Sequence, residues 1–292
     1  MPPIPFPDHA FAALGSQHVL RVGYGAMQLE HAEPEVATRL LRRAVELGVD
    51  HLDTAEFYGN GLVNRAIRDA LHPYPERLQL VSKVGAEHIG TGLAPAQRPE
   101  QLRAGVEANL DSLGVERLAV VNLRRVDTGP GIVAEGDQVV DLDSQLAELT
   151  ALRDEGKIGG IGLSHVSLAQ LRQAVPAGIV CVQNLYNMRE REHEPTLREC
   201  DRRGIAWVPF FPLGSAFAQR AKVTDAPVVA EHAARLEITP AQAGLAWLLA
   251  HSPRTLLIPG TNSAAHLAEN IDSARIELDG AATAAFDQLA AG

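Results

Sequence analysis

The sequence predicts an α/β fold in which eight parallel strands alternate with helices and close into a (β/α)8 barrel. Apolar segments of strand length alternate with amphipathic segments of helix length along most of the chain, a pattern typical of a parallel sheet. Polar side chains follow several of these strands, as expected for a barrel whose chemistry gathers on the loops after the strands. An open doubly wound sheet is the alternative, but Gly23-x-Gly25 lacks the third glycine that its fingerprint requires.

Composition narrows the class of protein. With 46% hydrophobic side chains the 292 residues can bury a large core, and we expect one domain over residues 1–292. Four prolines within residues 1–9 predict an irregular segment there. The net charge of -10 argues against nucleic acid or an anionic membrane as a partner.

A cytoplasmic location is expected from the cysteines and the hydropathy pattern. Cys181 and Cys200 form no disulfide framework and no paired metal motif. We expect no export signal at the N terminus and no membrane span, since no apolar window is long enough.

The first predicted elements are short strands. Residues 11–14 and 18–22 flank a three-residue connection and predict a hairpin. Residues 22–27 follow as the first barrel strand. They end in small residues, which would let a ligand approach the backbone closely.

Helices and strands alternate from residue 35 onward. The predicted strands are 49–53, 78–83, 118–123, 158–163, 179–183, 206–209 and 255–258. The predicted helices are 35–47, 65–71, 99–113, 143–155, 192–203 and 240–251. The stretch between residues 83 and 99 is predicted to be a loop because it is rich in glycine and proline.

Several polar side chains fall at the ends of predicted strands. They are Asp53, Lys83, Arg124, Ser164 and Gln183. Because a barrel collects its catalytic groups at the carboxyl ends of its strands, this coincidence is the main indication of function in the residues themselves.

Asp53, Tyr58 and Lys83 form a candidate acid/base constellation. Taken singly, Asp53 is more simply a helix cap, Tyr58 a partly buried packing residue and Lys83 a solvated charge. Together, a carboxylate near a lysine keeps the ammonium charged, and an ammonium close to a phenol favours the phenolate. Tyr58 is then expected to give or take a proton near neutral pH.

Several motifs resemble, in their expected order, the signatures of the aldo-keto reductases. They are GYGAM at 23–27, DTAEFYG at 53–59, SK at 82–83, GKIGGIGLS at 156–164, VQNLYN at 182–187, PLG at 212–214 and IPGTN at 258–262. The resemblance runs from the hairpin onward, and NLR at 122–124 is similar to a pyridoxal reductase-like branch.

The resemblance implies a nicotinamide-dependent reductase of aldehydes or ketones, with a C-terminal cofactor-binding helix on the barrel. It implies that Tyr58 donates a proton to the developing alkoxide, that Lys83 assists it, and that Asp53 anchors Lys83. The implied cofactor is NADPH, with NADH possible, and the implied partner is a small-molecule carbonyl substrate.

The resemblance also implies a set of cofactor contacts. Ser164 and Gln183 would bind the nicotinamide carboxamide, and Phe210 would stack on its ring. Residues 212–215 would follow the pyrophosphate, and residues 263–270 would reach the adenosine end. The whole implied set is Gly25, Ala26, Met27, Asp53, Ser164, His165, Gln183, Phe210, Phe211, Pro212, Leu213, Gly214, Ser215, Gly260, Thr261, Asn262, Ser263, His266, Glu269 and Asn270.

Arg124 stands where the family usually has a histidine as its fourth catalytic residue. Arginine cannot donate a proton at ordinary pH, but it can hydrogen-bond and polarise a substrate oxygen. Two readings stay open. Arg124 points to solvent or to a structural carboxylate, or it selects substrates with an anionic or strongly accepting oxygen beside the carbonyl, as in pyridoxal.

Two further departures concern the cofactor. His165 replaces a usual asparagine and can supply only part of its hydrogen bonds. Gly260 and His266 stand where many members have lysine and arginine, which weakens the electrostatic case for a 2′-phosphate.

Other functional classes stay open. A cofactor-binding sensor with little turnover would keep the barrel, and a Schiff-base lysine at Lys83 would give aldolase-type chemistry. No metal site is expected because the histidines form no HxxxH or HxH pair, and His51 is interpreted as a surface or capping residue. The sequence predicts no oligomeric state.

Overall fold

The structure, a computed structural model, describes residues 6–90, 92–128, 131–214 and 221–291. Its strands are β1 (Phe11–Leu14), β2 (Gln17–Leu20), β3 (Tyr24–Gly25), β4 (His51–Asp53), β5 (Gln79–Val84), β6 (Ala86–Ile89), β7 (Gly92–Pro95), β8 (Leu118–Arg124), β9 (Ile158–Ser164), β10 (Ile179–Gln183) and β11 (Ala206–Trp207). Its α-helices are α1 (Pro34–Glu46), α2 (Leu62–Leu71), α3 (Pro99–Leu113), α4 (Leu142–Asp154), α5 (Leu168–Ala174), α6 (Glu194–Arg203), α7 (Pro227–Arg235), α8 (Pro240–His251), α9 (Ala264–Asp272) and α10 (Gly280–Asp287).

Seven parallel strands form the barrel wall in the order β11-β10-β9-β8-β5-β4-β3. The two edges of this sheet meet across residues 255–257. Thr255 bridges Trp207 of β11, and Leu257 bridges Val22 just before β3. The chain is therefore a closed (β/α)8 barrel, as predicted, although its eighth strand position is held by isolated bridges.

Side chains along each strand point alternately toward the helices and into the barrel, so the protein has an outer core and an inner core. Leu52 of β4 packs between the sheet and the helices, whereas its neighbours His51 and Asp53 line a small cavity inside the barrel. The apolar residues that cluster inside the barrel include Val81, Val120, Cys181, Ala206, Val208 and Leu256.

Two glycines near the first barrel strand lie where any side chain would clash with other parts of the barrel. A Cβ on Gly23 would lie 2.3 Å from Nε2 of His51, and a Cβ on Gly25 would lie 2.3 Å from the carbonyl oxygen of Ile258. At both positions a side chain would therefore collide with the protein's own atoms. His51 is only 2% exposed, so its interpretation as a surface residue is wrong.

The hairpin β1–β2 covers the amino-terminal end of the barrel. Its turn places Gly15 at φ 61°, a left-handed conformation that suits glycine. Leu14 and Val19 pack against the inner core, and the backbone N–H of Leu20 donates to the Asp50 carboxylate at 2.9 Å. The site-bearing end of the barrel is therefore the opposite one.

Most predicted elements lie within a few residues of their expected bounds. The helices Pro99–Leu113 and Pro240–His251 and the strand Ile179–Gln183 have the predicted bounds. The first two helices, Pro34–Glu46 and Leu62–Leu71, lie within three residues of their predicted bounds.

Other predictions are wrong. The predicted loop after Lys83 contains the antiparallel hairpin β6–β7, in which Ala86 pairs with Pro95 and Ile89 with Gly92. Residues 22–27 form only a two-residue strand before a 3-10 helix, Ala26–His31. Helices α5, α7 and α10 were not predicted, and a 3-10 turn, Asp8–Ala10, begins inside the segment expected to be irregular.

Within the described part of the chain, no helix has both the length and the apolar character needed to cross a bilayer.

Candidate active site

The strand register brings the polar strand-end residues to one level. Arg124 is paired with Ser164, and Ser164 with Gln183, so the last residues of β8, β9 and β10 lie side by side. Asp53 is the last residue of β4, and Lys83 is the last but one of β5. All five side chains therefore share the carboxyl end of the barrel.

Asp53 connects two side chains from other strands. One of its oxygens accepts a hydrogen bond from Lys83 Nζ, and the other accepts one from Gln183 Nε2 at 2.7 Å. Lys83 Nζ also donates to the backbone carbonyl of Thr54 at 3.2 Å. Asp53 and Lys83 are 3% and 8% exposed, so their attraction is poorly screened by water.

Lys83 is held in its charged form. Burial by itself would lower the pKa of Lys83, but the neighbouring Asp53 carboxylate and then the Tyr58 phenol outweigh it and raise this pKa above its usual value. A Schiff-base lysine must be a neutral amine to attack a carbonyl. The environment of Lys83 therefore disfavours the aldolase-type alternative.

Tyr58 lies against Lys83 on the loop that follows β4. Lys83 Nζ is 5.2 Å from the centroid of its ring. Phe57 packs edge-on against Tyr58 at 5.2 Å between centroids, and Leu93 and Ile132 pack on the same small apolar cluster. Tyr58 thus has an ammonium on one side and an apolar wall on the other.

Arg124 lies beside this wall without a carboxylate partner. Its guanidinium carbon is 5.8 Å from the Phe57 ring centroid, and within the described residues its side chain makes no hydrogen bond or ion pair. Burial lowers the pKa of Arg124, with the charge of Tyr58 acting in the opposite direction. The sequence left open that Arg124 pairs with a structural carboxylate. The described residues show no such pair.

The neighbouring Arg125 has many partners. Its guanidinium donates to the Asp127 carboxylate at 2.5 Å and 2.9 Å, to the carbonyl oxygen of Val140 at 3.0 Å, and to Gln145 Oε1. Gln145 in turn donates to the backbone carbonyl of Gln97 at 2.7 Å. Arg125 therefore fixes the loop after β8.

Gln97 fixes the strand end that carries Arg124. Its amide donates to the carbonyl oxygens of Gly85 at 2.6 Å and Arg124 at 2.9 Å. Sequence reasoning missed Gln97, Arg125 and Gln145, because nothing in a glutamine's sequence context shows which distant carbonyl it will bind.

The implied nicotinamide contacts include an unsatisfied buried atom. Gln183 is 1% exposed, its Nε2 is used by Asp53, and its Oε1 has no hydrogen-bond partner within the described structure. A carboxamide N–H₂ group is a donor that would satisfy this oxygen. Ser164 lies beside it on β9, and the ring of Phe210 is partly exposed in the segment after β11. These residues fit the ring end of a nicotinamide cofactor.

His165 turns away from its strand in a strained conformation. Its φ is 59°, its backbone N–H donates to the Gln183 carbonyl at 2.9 Å, and its ring hydrogen-bonds the backbone of Thr128. Burial lowers the pKa of His165, although that bond opposes the effect. The ring of His165 thus contacts the loop after β8.

The segment expected at the pyrophosphate is a tight turn. Phe211 has φ 54° and accepts a hydrogen bond from the Gly214 N–H at 3.0 Å, and a bridge joins Pro212 to Gly214. Leu213 packs against the outer core. Ser215 lies outside the described residues.

The segment expected at the adenosine end begins α9. Ser263 caps this helix by accepting from the His266 N–H at 3.4 Å, and its own N–H donates to Thr261 Oγ1 at 3.0 Å. Asn262 donates to the carbonyl of Gln28 at 3.2 Å, next to Met27. The loop that carries Gly260 is therefore tied to the segment after β3.

Along α9 the implied adenine residues differ in exposure. Glu269 is half-buried, and its carbonyl accepts from the side chains of Gln242 and Ser273, each at 3.2 Å. Asn270 is 7% exposed, and Ala26 is fully buried in the outer core. No lysine or arginine stands on residues 258–270, as the sequence already indicated.

The buried carboxylate–ammonium pair and the tyrosine form a candidate acid/base site at the carboxyl end of a (β/α)8 barrel, where enzymes of this fold carry their catalytic residues. The chain belongs to the aldo/keto reductase family, whose sequence profile matches residues 21–291. The resemblance carried by the motifs is thereby confirmed, and the protein is an NAD(P)H-dependent oxidoreductase.

Relatives agree with this assignment. The chain is 41% identical over 274 residues to pyridoxine 4-dehydrogenase of Escherichia coli, covering 91% of this chain and 93% of that protein. A crystal structure of a thermostable aldo-keto reductase with the inhibitor epalrestat has a TM-score of 0.81 at 26% identity, covering 96% and 99% of the two chains. An aldo/keto reductase from Klebsiella pneumoniae with NADP and acetate has a TM-score of 0.82 at 24% identity, covering 96% and 95%, which shows the shared fold.

Proposed function

We propose that this protein uses NADPH to reduce an aldehyde to the primary alcohol, with pyridoxal as a candidate substrate. The bound cofactor supplies a hydride to the carbonyl carbon, and Tyr58 supplies the proton to the carbonyl oxygen. One two-electron reduction therefore consumes one carbonyl, one hydride and one proton. The observation that carries the proposal is the buried Asp53–Lys83 pair lying against Tyr58.

The roles of the acid/base residues follow from their contacts. Asp53 keeps Lys83 charged and in place, since a buried ammonium needs a carboxylate partner. The ammonium stabilises negative charge on the Tyr58 oxygen after the proton has left. Tyr58 is thus the general acid, Lys83 its electrostatic partner and Asp53 the anchor of Lys83.

Arg124 is proposed to bind the substrate. Its guanidinium has no hydrogen-bond or ion-pair partner within the described protein and lies over the ring of Phe57, which packs in one apolar cluster with Leu93 and Ile132. A flat aromatic ring with an anionic oxygen beside its aldehyde would satisfy both the wall and the charge. Pyridoxal has this arrangement, and the related E. coli enzyme is named for the oxidation of pyridoxine.

Cofactor choice is proposed to favour NADPH without excluding NADH. Ser164 and Gln183 would hold the carboxamide, and the N terminus of α9 with Ser263 would face the adenosine phosphate. NADP and NADPH are bound by the related Klebsiella structures. A cytoplasmic location is part of the proposal and agrees with the buried, unpaired Cys181 and Cys200.

Tyr58→Phe tests the proposal directly. NADPH oxidation with pyridoxal and with 4-nitrobenzaldehyde should fall by about 10³-fold, because the proton donor is lost. NADPH binding, followed by quenching of protein fluorescence, should stay within twofold of wild type. Binding of NADPH without turnover by wild-type protein would instead favour the sensor alternative.

Arg124→His tests the substrate class. The ratio of kcat/KM for pyridoxal to kcat/KM for 4-nitrobenzaldehyde should fall about tenfold, as expected for the loss of one charge-assisted hydrogen bond. Arg103→His, which changes an arginine on the outer surface, should leave the ratio unchanged. An equal ratio in wild type and Arg124→His would remove Arg124 from substrate selection.

A further inference from the structure

The side chains next to the catalytic pair form a polar network on the outer face of the barrel. Thr54 follows Asp53, and Ser82 precedes Lys83, so both point away from the site toward the helices. Thr54, Ser82 and the helix residues Asn64 and Asn109 are each 0–1% exposed. Buried polar side chains at four neighbouring positions require an explanation.

Two asparagines connect these strand residues. Thr54 Oγ1 donates to Asn64 Oδ1 on α2 at 2.7 Å, and Ser82 Oγ donates to Asn109 Oδ1 on α3 at 2.5 Å. Asn64 Nδ2 donates to Asn109 Oδ1 at 2.9 Å, which closes the path from one strand to the other. The spacing of Asp53 and Lys83 is thereby set from outside the barrel as well as inside it.

Glu56 attaches the Tyr58 loop to this network. Its Oε2 accepts from Asn64 Nδ2 at 2.9 Å and from Ser112 Oγ at 2.5 Å, while its backbone carbonyl accepts from the Gly61 N–H at 2.6 Å. Glu56 lies two residues before Tyr58, and the Tyr58 N–H donates to the Ala55 carbonyl at 3.0 Å. The carboxylate is therefore the one side chain of residues 54–58 that ties the loop to both α2 and α3.

We infer that Glu56 is a positioning residue for Tyr58, acting through its bonds to Asn64 and Ser112. The inference rests on the proposed role of Tyr58 as proton donor. Glu56 makes no contact with the reacting atoms. It fixes the loop so that the phenol stays against Lys83, and a displacement of about 1 Å at such a point can cost a large factor in rate.

A purely stabilising role is the competing explanation, and the electrostatics separate the two. Burial raises the pKa of Glu56, opposed by the hydrogen bonds of Ser112 and Asn64 and by the charge of Arg65. A carboxyl with a raised pKa makes the ionised form less favourable in the fold than in water. Neutralising Glu56 should therefore not destabilise the protein at neutral pH.

The test compares Glu56→Ala with Glu56→Gln in the full-length protein. Glu56→Ala removes the acceptor, so kcat with pyridoxal and NADPH should fall about tenfold, with KM and the NADPH dissociation constant within twofold of wild type. Glu56→Gln keeps an acceptor for Asn64 and should retain kcat within about threefold, with an unchanged or higher Tm.

Further variants keep the result interpretable. Ser112→Ala removes, at a half-buried position, one of the two side chains that donate to the Glu56 carboxylate, and it should lower kcat less than Glu56→Ala. Ser112→Ala still tests the network if Glu56→Ala does not fold. Glu107→Ala, which removes a carboxylate bound to Lys157 on the surface of α3, should leave kcat unchanged.

Two outcomes would overturn the inference: a kcat for Glu56→Ala within twofold of wild type, or an equal loss in Glu56→Gln and Glu56→Ala. Tyr58→Phe is measured in parallel. If Tyr58→Phe keeps full turnover, the proposed function fails; if it loses turnover while Glu56→Ala does not, only the role of Glu56 fails.

Discussion

Two polar side chains at opposite ends of the barrel, Arg21 and Gln183, differ in how far their hydrogen bonds are satisfied within the described chain. At the amino-terminal end, Arg21 is 7% exposed and donates to four backbone carbonyls, those of His9, Leu249, Ser252 and Thr255. At the carboxyl end, Gln183 Oε1 has no partner in the described structure, and the Arg124 side chain has no hydrogen bond there.

This difference separates stability from function. A buried group whose hydrogen bonds are all made within the chain stabilises the fold, whereas a buried group left short of partners costs free energy until a ligand supplies them. We therefore expect that replacing a fully hydrogen-bonded charge at the amino-terminal end changes the free energy of unfolding. Replacing a group that lacks hydrogen-bond partners at the carboxyl end should change ligand binding and turnover.

Lys83→Met should show the largest effect. Losing the ammonium beside Tyr58 should lower kcat/KM by about 10³-fold, equivalent to about 4 kcal/mol. It also leaves the Asp53 carboxylate buried without its ionic partner, which should cost about 3 kcal/mol of unfolding free energy. Steady-state kinetics and urea unfolding measure the two losses separately.

The double variant Asp53→Asn with Lys83→Met is the control. Removing both charges should restore most of the unfolding free energy but none of the turnover, because the buried charge is gone while the ammonium is still missing. Recovery of turnover in the double variant would contradict the assigned role of Lys83.

Arg21→Met should show the reverse behaviour at the other end. Burial lowers the pKa of Arg21 to about 10, so it remains charged at neutral pH, and its replacement leaves several carbonyls without donors. The free energy of unfolding should drop by about 3 kcal/mol. kcat/KM of the folded protein, measured well below its Tm, should stay within twofold of wild type.

The positions of strands, helices and strand-end residues are the features that can be predicted from the sequence. The hydrophobic period sets strand and helix positions, so strand-end residues such as Asp53 and Gln183 can be placed at one face of a barrel from the sequence alone. That inference needs only local patterns and one topological rule.

Long-range hydrogen bonding could not be predicted in this way. His51 was interpreted as a surface residue. The alternation of side chains along β4 places His51 inside the barrel only if the sheet is known to close. Gln97 and Glu56 bind side chains and carbonyls 8 to 56 residues away, and no local period encodes such pairs. The short hairpin β6–β7 was missed because its glycines and proline were interpreted as loop residues, although Gly92 and Pro95 lie within β7.

Gln183→Leu sharpens the comparison at the open end. The change removes both the unpaired Oε1 and the bond from Nε2 to Asp53, so the two effects on stability partly offset and should sum to within about 1 kcal/mol. NADPH should bind about tenfold more weakly, since the carboxamide loses a hydrogen bond in a buried site. Unchanged NADPH binding in fluorescence titration would show that the oxygen is not a cofactor contact.

Glu194→Gln examines a satisfied charge outside the barrel, where the expected effect is smallest. Although burial opposes it, hydrogen bonds from His251, at 3.0 Å, and Tyr186 and the charge of Arg198 lower the pKa of Glu194 to about 2. A lowered carboxyl pKa contributes stability that is present above the unfolded value of 4.5 and is lost as the pH falls toward 2.

Because Glu194 is substantially exposed, we discount this contribution to about 1 kcal/mol at pH 7. Urea unfolding of wild type and Glu194→Gln should differ by this amount at pH 7, and the difference should shrink as the pH falls below 4.5 toward 2. A difference that persists undiminished to the acid end would mean that Glu194 acts through packing and not through its charge. Turnover should be unaffected, since the Glu194 side chain binds Tyr186, Arg198 and His251 and none of the proposed catalytic residues.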